Sequence, residues 1–504
     1  MAHTAAVPAS FAGTPDTDRH HSRRWAILAF LGLAQLMVVL DATIVNIALP
    51  SAQHGLGFSD NDRQWVVTAY SLAFGGLLLL GGRLADLFGR RRMLLVGLIG
   101  FAVASALGGA ATGITTLVIA RAVQGAFGAV LAPAALSLLT ITFTDPAERG
   151  KAFGIFGSIA GAGAAVGLLL GGLLTQYLSW RWCLYVNVPI AVAAAVGAVV
   201  VIPRSETAKG VRLDIPGVLT AVLGLSGLVY GFSRAETDGW TDVWTLLVLL
   251  VAVLLLVGFV VIQRRTTHPL LPLRVVLDRR RGGAYAAIAL AAIGMFAVFL
   301  FLTYYLQQTL GFSPLKTGVA FLPFVVGIVT SSTGLVPRLL PRVGPRPLIV
   351  TGQLLGAAGL LVMWRLHIGS SYAGHVLPAL LVMGLGMGLI FASCFNTATA
   401  GTRPSDAGVA SALVNTGQQV GGALGTALLN TIAATVTASY LASHQNGGRV
   451  SPALVNSAAV AGDTRAFLVS AGIFLVAAVV SLVVLPGGPN PAGRPGAAAP
   501  AAAH

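Results

Sequence analysis

Apolar residues run along this chain in fourteen long blocks separated by short polar loops. The blocks fall near 25–49, 64–82, 93–111, 115–138, 152–173, 184–203, 214–233, 243–263, 284–307, 317–337, 347–365, 374–399, 407–435 and 466–486. At 1.5 Å per residue, about 20 apolar residues cross roughly 30 Å of hydrocarbon. Only helices satisfy their own backbone there without closing into a barrel. The pattern therefore predicts an all-α polytopic membrane protein with fourteen transmembrane helices.

Composition agrees, with 56% hydrophobic and 9% charged residues, and 62 glycines suit close helix packing. Charge adds the orientation. Of the 31 Lys and Arg, 23 fall on the loops of one side, seven on the other, and Arg121 lies inside a span. The rich side holds Arg19, Arg23 and Arg24 of the N-terminal arm, Arg90 to Arg92, and Arg279 to Arg281. That bias predicts both termini in the cytoplasm. It also accounts for the net charge of +15, so no nucleic-acid partner is expected. The polar arm 1–24 lacks a cleavage site before a short apolar core, so the first span reads as an uncleaved anchor. The stretch 487–504 is rich in Pro, Ala and Gly and reads as a disordered cytoplasmic tail. The two cysteines, Cys183 and Cys394, fall in different spans and predict neither a disulfide nor a metal site. No cofactor is expected, and the absence of a GxxxxGK[ST] loop argues against ATP as the energy source. Arg outnumbers Lys 28 to 3 and Ala abounds, which points to a bacterial genome rich in G and C.

Two segments repeat. GGRLADLFGRRRMLLVG follows the second span and TGLVPRLLPRVGPRPLIVTG follows the tenth. Gly89 and Gly97 have the spacing of Gly344 and Gly352, at an offset that fits eight helices rather than six. Two six-helix halves with two extra helices between them account for this. Boundaries follow: arm 1–24, first bundle 25–203, extra helices 204–265, second bundle 266–486, tail 487–504. Parallel six-helix repeats that rock about a central site are a transporter architecture.

Candidate chemistry is sparse. Asp41, in LDATIVNIALP, is the one acid read as lying well inside a span, and Arg121 is the one base. Helical rise puts Asp41 about 13 Å and Arg121 about 10 Å from the same membrane face, so their depths match. An intramembrane ionisable group is a functional candidate by default, and the alternative is a static pair that only joins two helices. Arg121, Gln124, Gly125 and Gly128 share one helix face. In GRLADLFGRRR the glycines permit a tight reversal, and Asp86 can face a helix N-terminus or a base. The bland reading of that cluster is a topology signal alone. Gln35, Asn46, Gln124, Tyr304, Gln307, Asn396, Asn415 and Gln418 are polar residues within spans and candidates for a cavity lining. Some of them only bridge helices. Phe296, Phe299 and Phe301 could stack an apolar substrate or simply pack.

These segments resemble the major facilitator superfamily, and in particular its fourteen-helix drug:proton antiporters of the EmrB/QacA type. The resemblance covers essentially the whole chain. GRLADLFGRRR matches motif A (GxLaDrxGrkx), which implies a cytoplasmic latch of Gly82, Asp86, Gly89 and Arg90, with Glu148 as a partner for Arg90. The Arg121 stripe resembles motif B, tied to proton coupling, and the Asp41 segment resembles the first-helix motif of those antiporters. SWRWCLYVNVP, YYLQQTLGFSPLKTGVAFLP and AGVASALVNTGQQVGGALG also look like that family. Gly154, Gly163, Gly167 and Gly171 follow motif C (gxxxGPxxGG), but Leu168 stands where its proline is expected. The kink of that proline is then absent or comes from glycine alone.

The resemblance implies a proton-driven exporter of the bacterial plasma membrane, working as a monomer by alternating access and not an enzyme. Its substrates would be amphipathic drugs or specialised metabolites, neutral or monocationic, since no second acid is expected in the C-terminal half to match a dication. The alternatives are a proton-coupled symporter or facilitator of a small organic solute, and a non-transporting membrane sensor.

Overall fold

The computed structural model describes residues 15–58, 60–203, 214–267, 269–403, 406–444 and 451–488; the parts of the predicted arm, linker and tail beyond these lie outside the described residues. No strand occurs among the described residues. Thirteen helices are long and apolar enough to cross a membrane, and a fourteenth is bent. They are α1 (Pro15–Leu56), α2 (Asp60–Phe88), α3 (Arg90–Gly109), α4 (Ile114–Thr142), α5 (Pro146–Tyr177), α6 (Trp182–Val201), α7 (Ile215–Thr237) and α8 (Val243–Arg265). Then come α9 (Arg279–Thr309), α10 (Leu315–Val343), α11 (Pro345–Trp364), α12 (Tyr372–Thr399), α13 (Ala407–His444) and α14 (Pro452–Val484).

Helices α1 to α6 pack among themselves, as do α9 to α14. The groups meet along α2 and α4 against α13, and along α5 against α10 and α12. Gly89 and Gly344 both turn the chain with positive φ, 93° and 80°, where a side chain would be strained. About two turns further, Gly97 lies against Leu131 of α4 and Gly352 against the Gly386 carbonyl of α12. The repeated glycines thus place corresponding helices in close contact in each group.

The α7–α8 hairpin lies over the α2/α13 contact. Ser226 sits against Gly76, Trp65 stacks on Tyr230, and the Trp240 indole donates to Thr431 of α13. Asp214 caps α7 through the Gly217 amide and accepts from Gln263 of α8. Asp242 caps α8, and the Thr245 amide it accepts from holds its carboxyl below the ordinary range.

Several helices are longer than their apolar blocks. Hydropathy marks only the part in hydrocarbon, while α1 and α13 continue past it. The largest difference is at α14, which starts at Pro452 rather than near 466. Ser451 caps it through the Leu454 amide, with proline at the first position. Asp463 therefore lies within a helix, buried at 8% exposure. This corrects the expectation that the C-terminal half has no second acid.

Candidate functional site

Asp41 and Arg121 meet. The Arg121 Nη1 donates to Asp41 Oδ2 at 2.7 Å, with side-chain exposures of 2% and 0%. Gln124 Nε2 and Asn187 Nδ2 donate to Asp41 Oδ1 at 2.7 and 2.8 Å. Both amides also reach Ser105 Oγ, whose hydroxyl donates to the Leu184 carbonyl. Arg121 further donates to Gln124 Oε1 and, from Nε, to the Val66 carbonyl at 3.3 Å. Its guanidinium lies 4.2 Å from the Tyr70 ring centroid. Residues of five helices, α1, α2, α3, α4 and α6, thus meet in one network, and the donors to the carboxylate come from α4 and α6.

Helix geometry explains the assembly. Arg121 and Gln124, three residues apart, share the α4 face toward Asp41. Gly125 and Gly128 turn toward α2 instead, where an added Cβ on Gly125 would overlap the Tyr70 carbonyl and one on Gly128 would meet the Phe74 ring. That close approach lays Tyr70 on the guanidinium. The site's charges are matched and its carboxylate accepts three hydrogen bonds. Removing one partner of such a buried pair costs about 3–5 kcal/mol, because the other charge is stranded.

Sequence reasoning missed Asn187 and Ser105. Asn187 lies in the SWRWCLYVNVP segment, but depth matching pairs charges, and a neutral amide or hydroxyl in a span carries no such signal. Gln124 belongs to this network and not to a cavity lining. Gln35 is buried, Asn415 donates back to the Ser411 carbonyl of its own helix, and Tyr304 is 44% exposed at the end of α9. Gln307 lies in the π-helical turn Tyr305–Thr309, while Asn396 and Gln418 are half-buried on α12 and α13. The side chains of Asn46 and Phe296 lie outside the described residues. Phe299 stacks on Phe321 and meets Phe324 edge-on, and Phe301 is buried, so both pack within the core.

At the basic face, Asp86 Oδ1 accepts from Arg90 at 3.0 Å and from the Gly408 amide, in the first turn of α13, at 3.1 Å. Both partners of the sequence reading, a base and a helix N-terminus, are present together. Gly82 is required for this approach: its Cβ would lie 2.6 Å from the Gly408 carbonyl. Two residues before Gly408, Asp406 accepts from Arg274 at 2.7 Å. Glu148 does not serve Arg90; it pairs with Arg24 at the start of the first span, which α1·α5 packing brings to the same corner.

The four motif C glycines divide. Gly163, Gly167 and Gly171 face α1, against Val39, Thr43 and Ile44, so they press on the turns that carry Asp41. Gly154 faces α10, where a Cβ would overlap the Ser332 carbonyl. Nine residues at about 100° each put Gly154 on the face opposite Gly163, and α5 bends by 46° between Gly163 and Ala165, within the set that faces α1. The kink is present without proline, in a run of small residues.

A five-helix, fully buried carboxylate inside one of two packed six-helix groups defines a class of helical membrane transporter. The chain belongs to the Major Facilitator Superfamily, whose model matches residues 31–426. It is 52% identical to the puromycin resistance protein pur8 of Streptomyces alboniger over 95% of this chain and 94% of that one. It is 40% identical to the cephamycin export protein CmcT of Amycolatopsis lactamdurans, covering 82% and 86%. The tetracenomycin C resistance and export protein of Streptomyces glaucescens is 34% identical, covering 85% and 79%. Among solved structures, the human organic anion transporter MFSD10 matches with TM-score 0.63 at 16% identity, covering 91% of this chain and 99% of that one. That likeness speaks for the fold alone.

Proposed function

We propose that this protein is a proton-driven exporter of amphipathic organic compounds, neutral or monocationic, in a bacterial plasma membrane. The basic face and both termini lie in the cytoplasm, and two six-helix bundles rock about the seam between them. The observation that carries the reading is the Asp41–Arg121 pair: a buried ion pair seldom gains stability over apolar packing, so its retention points to function. The names of the relatives, resistance and export proteins for puromycin, cephamycin and tetracenomycin C, support export as the direction.

In this mechanism a proton taken by Asp41 removes the charge that holds Arg121. Arg121, Gln124 and Asn187 then lose their common acceptor, and α1, α4 and α6 are free to shift. Gly163, Gly167 and Gly171 transmit that shift from α1 to α5, which forms part of the seam. A ligand moves such an equilibrium only by binding one state better than the other, so proton and substrate must favour different states. Asp86 with Arg90 closes the cytoplasmic side and has to part for substrate to enter.

The test uses everted vesicles with an imposed proton gradient, following uptake of puromycin in wild type and Asp41→Asn. Gradient-dependent uptake that falls at least about a hundredfold in the variant is expected, the effect of losing about 3 kcal/mol or more. Equal uptake in both would remove Asp41 from coupling. Gradient-driven movement in the opposite direction would make the protein a symporter.

A further inference from the structure

Asp463 is also a buried carboxylate within a long apolar helix, and its surroundings are unlike those of Asp41. No hydrogen-bond donor or base among the described residues reaches it, although it is 8% exposed. It is no helix cap, since α14 begins eleven residues earlier and is capped by Ser451. Aspartate inside a helix contributes nothing to helix stability.

Its position is defined by its neighbours on α14. Asp463, Phe467, Ser470 and Phe474 follow i, i+4, i+7, i+11 and share one face. Phe474 lies against Gly294 of α9 and Gly356 of α11, and the Ser470 carbonyl also lies near Gly294. Further along the same face, Asp463 stands toward the far ends of α9 and α11. There α9 ends in the π-helical turn Tyr305–Thr309, tied to α14 by a Thr309–Asn456 hydrogen bond of 3.0 Å. Such turns are rare and concentrate at functional sites. On the other flank, Gly462 packs on Thr437 and Ala433 of α13. The ionisable groups these elements bring to the region are Tyr304, Tyr305, Arg365, His367, Tyr440, His444 and, on α14 itself, Arg465. Tyr305 donates to the His367 carbonyl, Tyr440 stacks on His444, and Arg465 is exposed; none pairs with Asp463.

The carboxylate lies about 31 Å of helix from Val484, at the outer edge of the hydrocarbon layer. An ionised carboxylate in that setting needs a positive charge, and the described protein supplies none. We propose that Asp463 is a cation site at the outer mouth of the C-terminal half, taking one mobile positive charge, either a proton or the ammonium-like centre of an organic cation. This rests on the transporter reading and gives it a second acid beyond the Asp41 network.

Wild type carries the first test, independent of transport. Dicyclohexylcarbodiimide couples to protonated carboxyls in apolar surroundings, and mass spectrometry of the purified protein reads its adduct on Asp463. Labelling should fall at least about threefold either on raising the pH from about 5.5 to 8.5 or on adding tetraphenylphosphonium at fixed pH. The first response identifies the proton as the charge, the second the organic cation. Labelling indifferent to both, or none at all, overturns the proposal. Transport in proteoliposomes then separates the two ideas, with Asp463→Asn and Asp463→Glu against wild type. Loss of about tenfold for tetraphenylphosphonium, with an uncharged dye unaffected, supports the organic cation. Loss for both with a shifted dependence on the proton gradient supports the proton, and Asp463→Glu should retain either activity in part. Wild-type rates for both probes in Asp463→Asn would overturn the inference. Failure of wild type to move either probe would count against the transporter reading while leaving the labelling result to decide the site.

Discussion

The two six-helix groups meet along two seams at the basic face, and the seams are built from different materials. Where α2 meets α13, the contact is polar: Asp86 bonds Arg90 and the Gly408 amide, and Arg274 bonds Asp406 beside it. Where α5 meets α10 and α12, small residues interlock. Gly154 lies on the Ser332 carbonyl, the Ser158 and Ser332 hydroxyls bond, Gly157 lies on the Ala392 backbone, and Phe156 meets Phe395 edge-on. The repeat explains the difference. The spacing that aligns Gly89 with Gly344 aligns Asp86 with Pro341 and Gly82 with Pro337, so the second turn keeps its glycine and its bases but has no acid. Pro337 instead packs on Gly150 of α5. A charged contact can be released by neutralising one group, whereas a close-packed one opens only by moving a helix.

The hairpin sharpens the asymmetry. It covers the polar seam, with Leu79 of α2, Ala221 and Leu225 of α7 and Val409 and Ala412 of α13 in one apolar cluster. The extra helices therefore cover the seam that carries the charged contact.

Of the two seams, the close-packed one is expected to show the larger effect. In Gly154→Val the branched side chain must displace the Ser332 backbone, and overpacking of this kind costs about 1–3 kcal/mol. Transport should fall about 5- to 150-fold, with Gly154→Ala losing less. A wild-type rate in Gly154→Val would mean that α5 and α10 never close as tightly as they stand here.

Asp86→Asn should cost less. The amide keeps an acceptor for the Gly408 amide but loses the charge-assisted bond to Arg90 and the attraction to the α13 N-terminus, together about 1–2 kcal/mol. The transport rate should change roughly 5- to 30-fold, and Asp86→Glu should not restore it, because Gly82 and Gly408 leave no room for a longer side chain. An Asn variant as impaired as Gly154→Val would contradict the ranking of the two seams.

Much of this was legible in the sequence, and the exceptions have physical causes. Apolar blocks locate the helices because hydrocarbon allows no other backbone, and Asp41 finds Arg121 because so few charges lie at that depth. Neutral donors give no such signal, so Asn187 and Ser105 emerge only when α3 and α6 are placed. The glycines of α5 read as one motif because spacing along a helix does not say which neighbour each one meets. Gly154 stands nine residues from Gly163, about half a turn out of phase, and so meets α10 while the others meet α1. Asp463 was hidden by the polar, small residues that start α14 outside the apolar block. The motif resemblance pairs Glu148 with Arg90, and helix packing gives it to Arg24.

The smallest effect should come from the rim of the polar seam. Arg274 lies on a five-residue helix, Leu273–Leu277, and its side chain is 53% exposed, while Asp406 is nearly buried at 6%. Solvent screens the arginine, so the pair is worth at most about 1 kcal/mol. Arg274→Gln should therefore change transport by less than about fivefold, and raising the salt should mimic part of the loss in wild type while leaving the variant unmoved. Asp86 and Gly408 are shielded from solvent, so the latch itself should respond little to salt. Measured side by side, the salt dependence separates the rim from the latch: if Asp86→Asn also abolished the salt response, Arg274 and Asp86 would act as one cooperative unit, and the polar seam would open in a single step.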